Sequence, residues 1–521
     1  MKNTASSTPK SLRRRQLFGR KLWPLNQQPA KLPAFEPIHL PDDGQVFFKP
    51  TEVAIQREWR DDQSEHRAHA IALFCRGEAL FGACRYREAA QAYAQVDEAA
   101  DSVTALQSRG VALMMVSDLR AALKAFDAGA SRANQGHSAE LDLVCGINLA
   151  QVLCDLGKGG RAKDVLRRIL DLACCLEDRC FEKIALTRLA FTCFLQASYE
   201  EGLAYSDAAI RLDRSLDEPI AQADALFARG VLMMGKGDLI TAEEALTSGI
   251  ALVARDDHST YTRIRILVQL TSLYALLGRA DEAVAASEEA LSLCARHAHS
   301  QFRARCLQSL ALAHWSAGTS DAALSYSSQS LDIDARAGYR RGIARTDLEC
   351  AKVALGNGQL AVARGFLGEA AETAGNTGHL ILLLQSKAFL TSLSDDMPAP
   401  RKVAELEQLR ETSAAAGLPL MEVLLIQLIG SVYAEMTNYA EAQKSYEMAA
   451  ARGKEIGCAL ELAKIHGLQA QLAHRQGDRA SAIESAGLAD AVLHHAGIEG
   501  ETVASLAGGF PKTNTLEDVT Q

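Results

Sequence analysis

One phrase returns through this 521-residue chain at intervals close to 40 residues: a small residue, an apolar residue three later, glycine about seven later, and alanine five beyond that glycine. It is read in RGVALMMVSDLRAALKAF from Arg109, LTSLYALLGRADEAVAAS from Leu270, LALAHWSAGTSDAALSYS from Leu310 and IGSVYAEMTNYAEAQKSY from Ile429. The opening small residues are Gly77, Gly110, Ala150, Ala190, Gly230, Thr271, Ala311, Ala351, Gly430 and Ala470, separated by 33, 40, 40, 40, 41, 40, 40, 79 and 40 positions. The double interval leaves room for one degenerate unit, which residues 379–416 can supply, so about eleven units are expected. A fixed period of this length means stacked supersecondary units, none of which buries its apolar surface alone.

Each unit reads as two amphipathic helices. In the sixth, Leu267, Leu270, Tyr274 and Leu277 share one helical face, Gly278 marks the turn, and Ala283, Ala286 and Ala290 mark the second helix. The small residues let the two helices approach closely. The expected fold class is therefore all-α, an α-solenoid superhelix of antiparallel helix pairs with a concave face. Composition agrees: apolar residues reach 48% while aromatics are only 6%, and seven of the 12 prolines fall in the first 50 residues, leaving the rest free to form helix.

Three segments are expected: a basic, Pro-rich, disordered N-terminal arm over 1–58, the helical repeats over 59–497, and a flexible C-terminal tail over 498–521. The first 35 residues hold eight Lys or Arg and no acid, which leaves −17 for the remainder against a whole-chain charge of −9. An acidic body argues against nucleic acid lying along the repeats, whereas the arm has the charge to touch an anionic surface. RRRQLFGRK from Arg13 resembles a twin-arginine signal but lacks the apolar stretch that must follow it. An Arg-rich, acid-poor start also fits an organelle transit peptide; a solvated arm is the simpler reading. No run of 18 apolar residues is present to span a membrane, and the 12 scattered cysteines read as free thiols of a reducing compartment, so a cytoplasmic location is expected.

The order small, apolar, Gly, aromatic, Ala, aromatic, Ala is clearest in Gly430, Tyr433, Tyr439, Ala442, Tyr446 and Ala449, and resembles the tetratricopeptide repeat over roughly residues 60–497. The helix-ending Pro and the opening Trp of the usual 34-residue unit are missing, and the period is about 40. That brings the resemblance closer to long-repeat members such as sensor domains of the maltose-activator type and spindle-orientation adaptors. The resemblance implies that the first helix of each unit lines the concave groove. It then places Arg265, Arg305 and Arg345 as a ladder on that face, with Arg263 and Arg303 repeating the pattern two residues earlier, and with Phe191, Phe194, Met234 and Trp315 as candidate apolar anchors. Such a ladder suits carboxylates, either acidic side chains or a C-terminus, through paired guanidinium contacts. Surface arginines are commonly solvated or internally paired, and an apolar stripe at helical spacing is commonly core.

Signatures of catalysis are missing where they would be legible. The Gly-Lys pairs at Gly157 and Gly235 are not followed by Ser or Thr and lie in repeat turns, and no metalloprotease or serine-hydrolase motif occurs. Cys294 with His297 and His299, and the cluster Cys174, Cys175 and Cys180, have metal-like residue types, but ordinary helix packing accounts for both. The expected function is a non-enzymatic scaffold or adaptor that holds a peptide segment or helix of a partner, with no cofactor and no metal. The alternative is a regulatory sensor that binds a peptide or small ligand and controls a separate effector such as a transcription regulator.

Overall fold

A computed structural model of the chain describes residues 35–39, 46–50, 58, 65–83, 85–135, 139–216, 219–253, 260–296, 302–337, 339–356 and 358–495. Among the described residues, twenty-two helices form eleven antiparallel pairs. In chain order they are α1 (Glu65–Gly82), α2 (Tyr86–Ala100), α3 (Val103–Met115), α4 (Leu119–Gln135), α5 (Ala139–Asp155), α6 (Gly159–Leu176), α7 (Arg179–Leu195), α8 (Tyr199–Leu216), α9 (Pro219–Lys236), α10 (Leu239–Val253) and α11 (Thr260–Leu276). They continue with α12 (Ala280–Arg296), α13 (Arg303–Ser316), α14 (Ser320–Ala337), α15 (Arg340–Gly356), α16 (Leu360–Thr377), α17 (Leu380–Ser392), α18 (Ala399–Ala415), α19 (Pro419–Glu435), α20 (Tyr439–Ile456), α21 (Ala459–Arg475) and α22 (Arg479–His495). Odd-numbered helices open a repeat and even-numbered helices close it, so the architecture is an all-α solenoid. The degenerate repeat is the pair α17 and α18.

Where glycine opens the repeat phrase, an aromatic or branched side chain of the closing helix occupies the space a Cβ would take. A Cβ at Gly110 would lie 2.3 Å from the Phe126 ring, one at Gly430 2.6 Å from Tyr446, and one at Gly230 2.6 Å from Leu246. Between the helices of a pair, one residue takes a left-handed conformation, as Gly278 does at φ 71°. Where glycine is lacking the geometry persists, at Ser117 (φ 58°), Ala197 (φ 49°) and Thr437 (φ 57°). The turn is therefore imposed by the packing on either side of it, against the local cost of a Cβ at positive φ.

The chain divides into two compact units. The first holds α1 to α6 and most of α7; the second holds the end of α7, α8 to α22 and the turn at 155–159. In the first unit a two-stranded antiparallel hairpin, β1 (Phe35–His39) and β2 (Val46–Pro50), pairs Phe35 with Pro50 and His39 with Val46, and β2 lies against α3. Lys49 is buried, its Nζ 2.6 Å from Glu78 Oε2 on α1, and Tyr93 OH donates to the other oxygen of Glu78. Glu58 closes the N-terminus of α3, accepting from Ser102 Oγ at 2.8 Å, Val103 N at 2.7 Å and Thr104 N at 3.2 Å.

The hairpin and these contacts correct the expectation of a structureless arm over 1–58. A buried lysine needs a carboxylate, and the carboxylate lies far along the chain, so a local reading of proline and charge cannot see it. Residues 1–34 and the tail beyond 495 lie outside the described residues.

In the second unit, three contacts join points more than 220 positions apart in the chain. A Cβ at Gly157, in the α5–α6 turn, would lie 2.4 Å from Leu380 at the start of α17, 223 positions on. Gly417, before α19, faces Gln196, which precedes it by 221 positions. A Cβ at Gly237, in the α9–α10 turn, would lie 2.7 Å from the Ala459 Cβ at the start of α21, 222 positions on. Arg341 and Asp155, both largely buried, add an ion pair of 3.1 Å across the same seam. The apolar core follows this closure: Ala463 and Leu493 share a cluster with Leu232, Leu246 and Ile266.

Candidate functional site on the first helices of the second unit

From α9 to α21 each first helix touches the first helix of the next repeat, so these helices form a continuous layer within the second unit. The arginine ladder lies six positions before the small residue of its repeat, at Arg265, Arg305 and Arg345. The same register holds Asp224 in α9 and Lys464 in α21, before Gly230 and Ala470. Neither was picked out from the sequence, because the search there followed arginine and not the register.

The rungs have unequal roles. Arg265 Nη1 donates to Asp224 Oδ1 at 2.8 Å, and its guanidinium lies 4.3 Å from the centroid of the Phe227 ring, with Tyr261 at 5.4 Å on another side. Only 11% of its side chain is exposed. Thr262 Oγ1 also donates to Asp224. Arg265 is thus committed to carboxylate and aromatic partners within the protein.

Arg305 and Arg345 converge on one neutral acceptor. Arg305 Nη1 donates to Gln308 Oε1 at 3.4 Å, Arg345 Nε donates to the same oxygen at 3.2 Å, and the Gln308 amide group donates to Thr346 Oγ1. One turn farther along α15, Glu349 pairs with Lys352 at 2.8 Å. Burial pushes the Glu349 carboxyl up, but Lys352, Arg305 and Arg345 together hold it below its usual range.

On α21, Glu461 accepts from Lys464 at 2.7 Å and from Gln427 of α19 at 3.2 Å. Burial opposes its charge, yet Lys464, Gln427 and Lys352 keep it below the usual carboxylate range. Burial likewise disfavours the Lys464 cation, and Glu461 more than offsets this. Lys352 therefore acts on carboxylates of α15 and α21 alike. Arg305, Arg345, Lys352 and Lys464 thus act on the two carboxylates Glu349 and Glu461.

Other expected residues lie elsewhere. Arg263, two positions before Arg265, points to the opposite side of α11 and pairs with Glu289 of α12 at 3.0 Å, while Arg303 is exposed at the start of α13. Two residues are about 200° apart on a helix, so both positions cannot share a face with the ladder. Phe191 and Phe194 are half-buried and pack against the core, Phe191 5.7 Å from Phe227 and Phe194 6.5 Å from Tyr199, while Met234 is buried at 9% exposure. Trp315 is half-buried. His297 and His299 lie outside the described residues, and among the described residues no group of His, Cys, Asp or Glu is arranged to hold a metal ion. Among those residues, too, no helix is long and apolar enough to cross a membrane.

The model of the tetratricopeptide repeat family matches residues 264–297, which correspond to the pair α11 and α12. No curated protein matches the chain. Among solved structures, the chain is similar to a Rap protein complexed with Competence and Sporulation Factor, at 11% identity and a TM-score of 0.46, covering 68% of this chain and 99% of that one. It is also similar to the Rap conjugation gene regulator of plasmid pLS20 in complex with the Phr* peptide, at 14% identity and a TM-score of 0.44, covering 66% and 95%. A third is aspartyl phosphate phosphatase F from Bacillus subtilis, at 12% identity and a TM-score of 0.41, covering 68% and 94%.

Proposed function

We propose that the chain is a non-catalytic protein-interaction scaffold whose second unit binds an acidic segment, or the carboxylate end, of a partner protein along its first helices. The observation that carries this reading is the convergence of Arg305 and Arg345 on the single neutral oxygen of Gln308. Two guanidiniums held together by an amide oxygen form a preorganised receptor for a carboxylate, which accepts paired N–H donors better than an amide does. Arg265 lies outside the receptor, since Asp224 already provides its carboxylate.

A peptide array that varies acidic content and compares free with amidated C-termini tests the proposal. Wild-type protein is expected to retain carboxylate-bearing peptides, and the Arg305→Glu/Arg345→Glu protein to lose them with its helicity intact. Equal retention by the two proteins would sink the reading.

The seam described above favours regulatory sensing as a second reading. Contacts at Gly157–Leu380 and Gly237–Ala459 tie distant repeats together, so a guest that shifts the first helices against one another would strain or open this seam. A sensor of this kind, passing its state to a separate effector such as a transcription regulator, changes its radius of gyration in small-angle scattering when the peptide binds. A rigid adaptor does not.

A further inference from the structure

Cys294 lies in the last turn of α12 and Cys306 in the first turn of α13, twelve positions apart, with their sulfurs 3.3 Å from each other. Both are buried, at 3% and 0% exposure, among Ile264, Leu267, Leu293 and Phe302. A disulfide bond is about 2.05 Å long, so the sulfurs need to approach by only about 1.2 Å. We propose that Cys294 and Cys306 are a modification site: a vicinal thiol pair that a small hydroperoxide converts to a reversible disulfide, clamping the end of the sixth repeat to the start of the seventh.

The two sulfurs share one hydrogen bond that either can donate, and this contact favours a thiolate on one of them against the opposing effect of burial. Either sulfur can attack and the other resolve, through the same steps with the two exchanged. With Cys294 attacking, its thiolate takes one oxygen of hydrogen peroxide and breaks the O–O bond. The departing hydroxide takes up the proton that Cys294 released and leaves as water, with Cys294 now a sulfenic acid. Cys306 sulfur then attacks Cys294 sulfur, the S–O bond breaks, and the hydroxyl leaves as a second water with the Cys306 proton. Two thiols and one peroxide give one disulfide and two waters, with the peroxide as the two-electron oxidant. Burial of both sulfurs, at 3% and 0% exposure, favours a small neutral oxidant over a bulky disulfide.

The inference is independent of the reading of the first-helix layer, although Arg305 is the residue immediately before Cys306. The test exposes the full chain to hydrogen peroxide, blocks remaining thiols in denaturant, and maps a non-reducing digest by mass spectrometry. The expected product is a cross-link between the Cys294 and Cys306 peptides, about 2 Da lighter than the two reduced peptides together, reversed by dithiothreitol and absent from Cys294→Ser and Cys306→Ser proteins. Quantitative alkylation of both thiols after treatment, or their conversion to sulfinic acids without a cross-link, overturns the proposal. The wild-type map decides the matter even if a serine variant folds poorly.

Discussion

Arg265 Nη1 lies 2.8 Å from Asp224 Oδ1, which joins the ladder register of two successive repeats into an ion pair stacked on Phe227. Arg265→Ala leaves a half-buried carboxylate without its cation and removes the guanidinium from the ring. It is expected to destabilise the second unit by about 1–3 kcal/mol. Asp224→Ala is expected to cost a similar amount, and the double variant less than the two together, as measured by denaturant unfolding followed by circular dichroism. Additive losses would show that the pair is not coupled.

Asp347 on α15 is 2% exposed, its Oδ2 meets no hydrogen-bond donor, and burial together with the Glu369 charge raises its pKa to about 7 from an ordinary 3.8. Between these values the folded protein holds a proton that the unfolded chain has released. Stability therefore falls as pH rises from about 4 to about 7, by up to about 4 kcal/mol from this group. Asp347→Asn is expected to flatten that decline in melts at successive pH values. An unchanged slope would remove Asp347 as its source.

The arm contributes to folding. Glu58→Ala removes three hydrogen bonds at the N-terminus of α3 and is expected to cost about 1–2 kcal/mol. Deletion of residues 1–58 also uncovers Glu78, which loses Lys49. Thermal melts of the truncated chain are expected to show a clear drop. A composition-based reading of the arm as solvated predicts no change, so the two views separate cleanly.

Thr437 is exposed, β-branched and held at φ 57° in the turn between α19 and α20. Thr437→Gly relieves that conformation and is expected to stabilise the protein by about 1 kcal/mol, measured as a rise in the unfolding midpoint. A loss of stability would mean that the threonine side chain makes a compensating interaction.

Much of the architecture was legible because its determinants are local and repeated. Gly110 against Phe126 and Gly430 against Tyr446 are contacts within one repeat, and their spacing is visible as a period. Even the degenerate repeat at α17 and α18 announced itself through a double interval. The hairpin did not, because the partners of Lys49 and Glu58 belong to helices outside their own segment. At the site, the register of Arg265, Arg305 and Arg345 was legible, but the division of labour among them was not. It depends on what stands opposite each guanidinium, Asp224 in one case and Gln308 in the others. The period that puts Phe191 and Phe194 on a stripe is also the period of core packing, which is why both rings are half-buried against the core.

The seam at Gly157, Gln196 and Gly237 ties the arithmetic of the repeats to their geometry. An open array can gain or lose a module at little cost, since each module answers only to its neighbours. Here a module inserted between Gly157 and Leu380 would carry the glycine out from under the leucine, so an added repeat in this stretch would cost a contact that neighbouring repeats cannot restore.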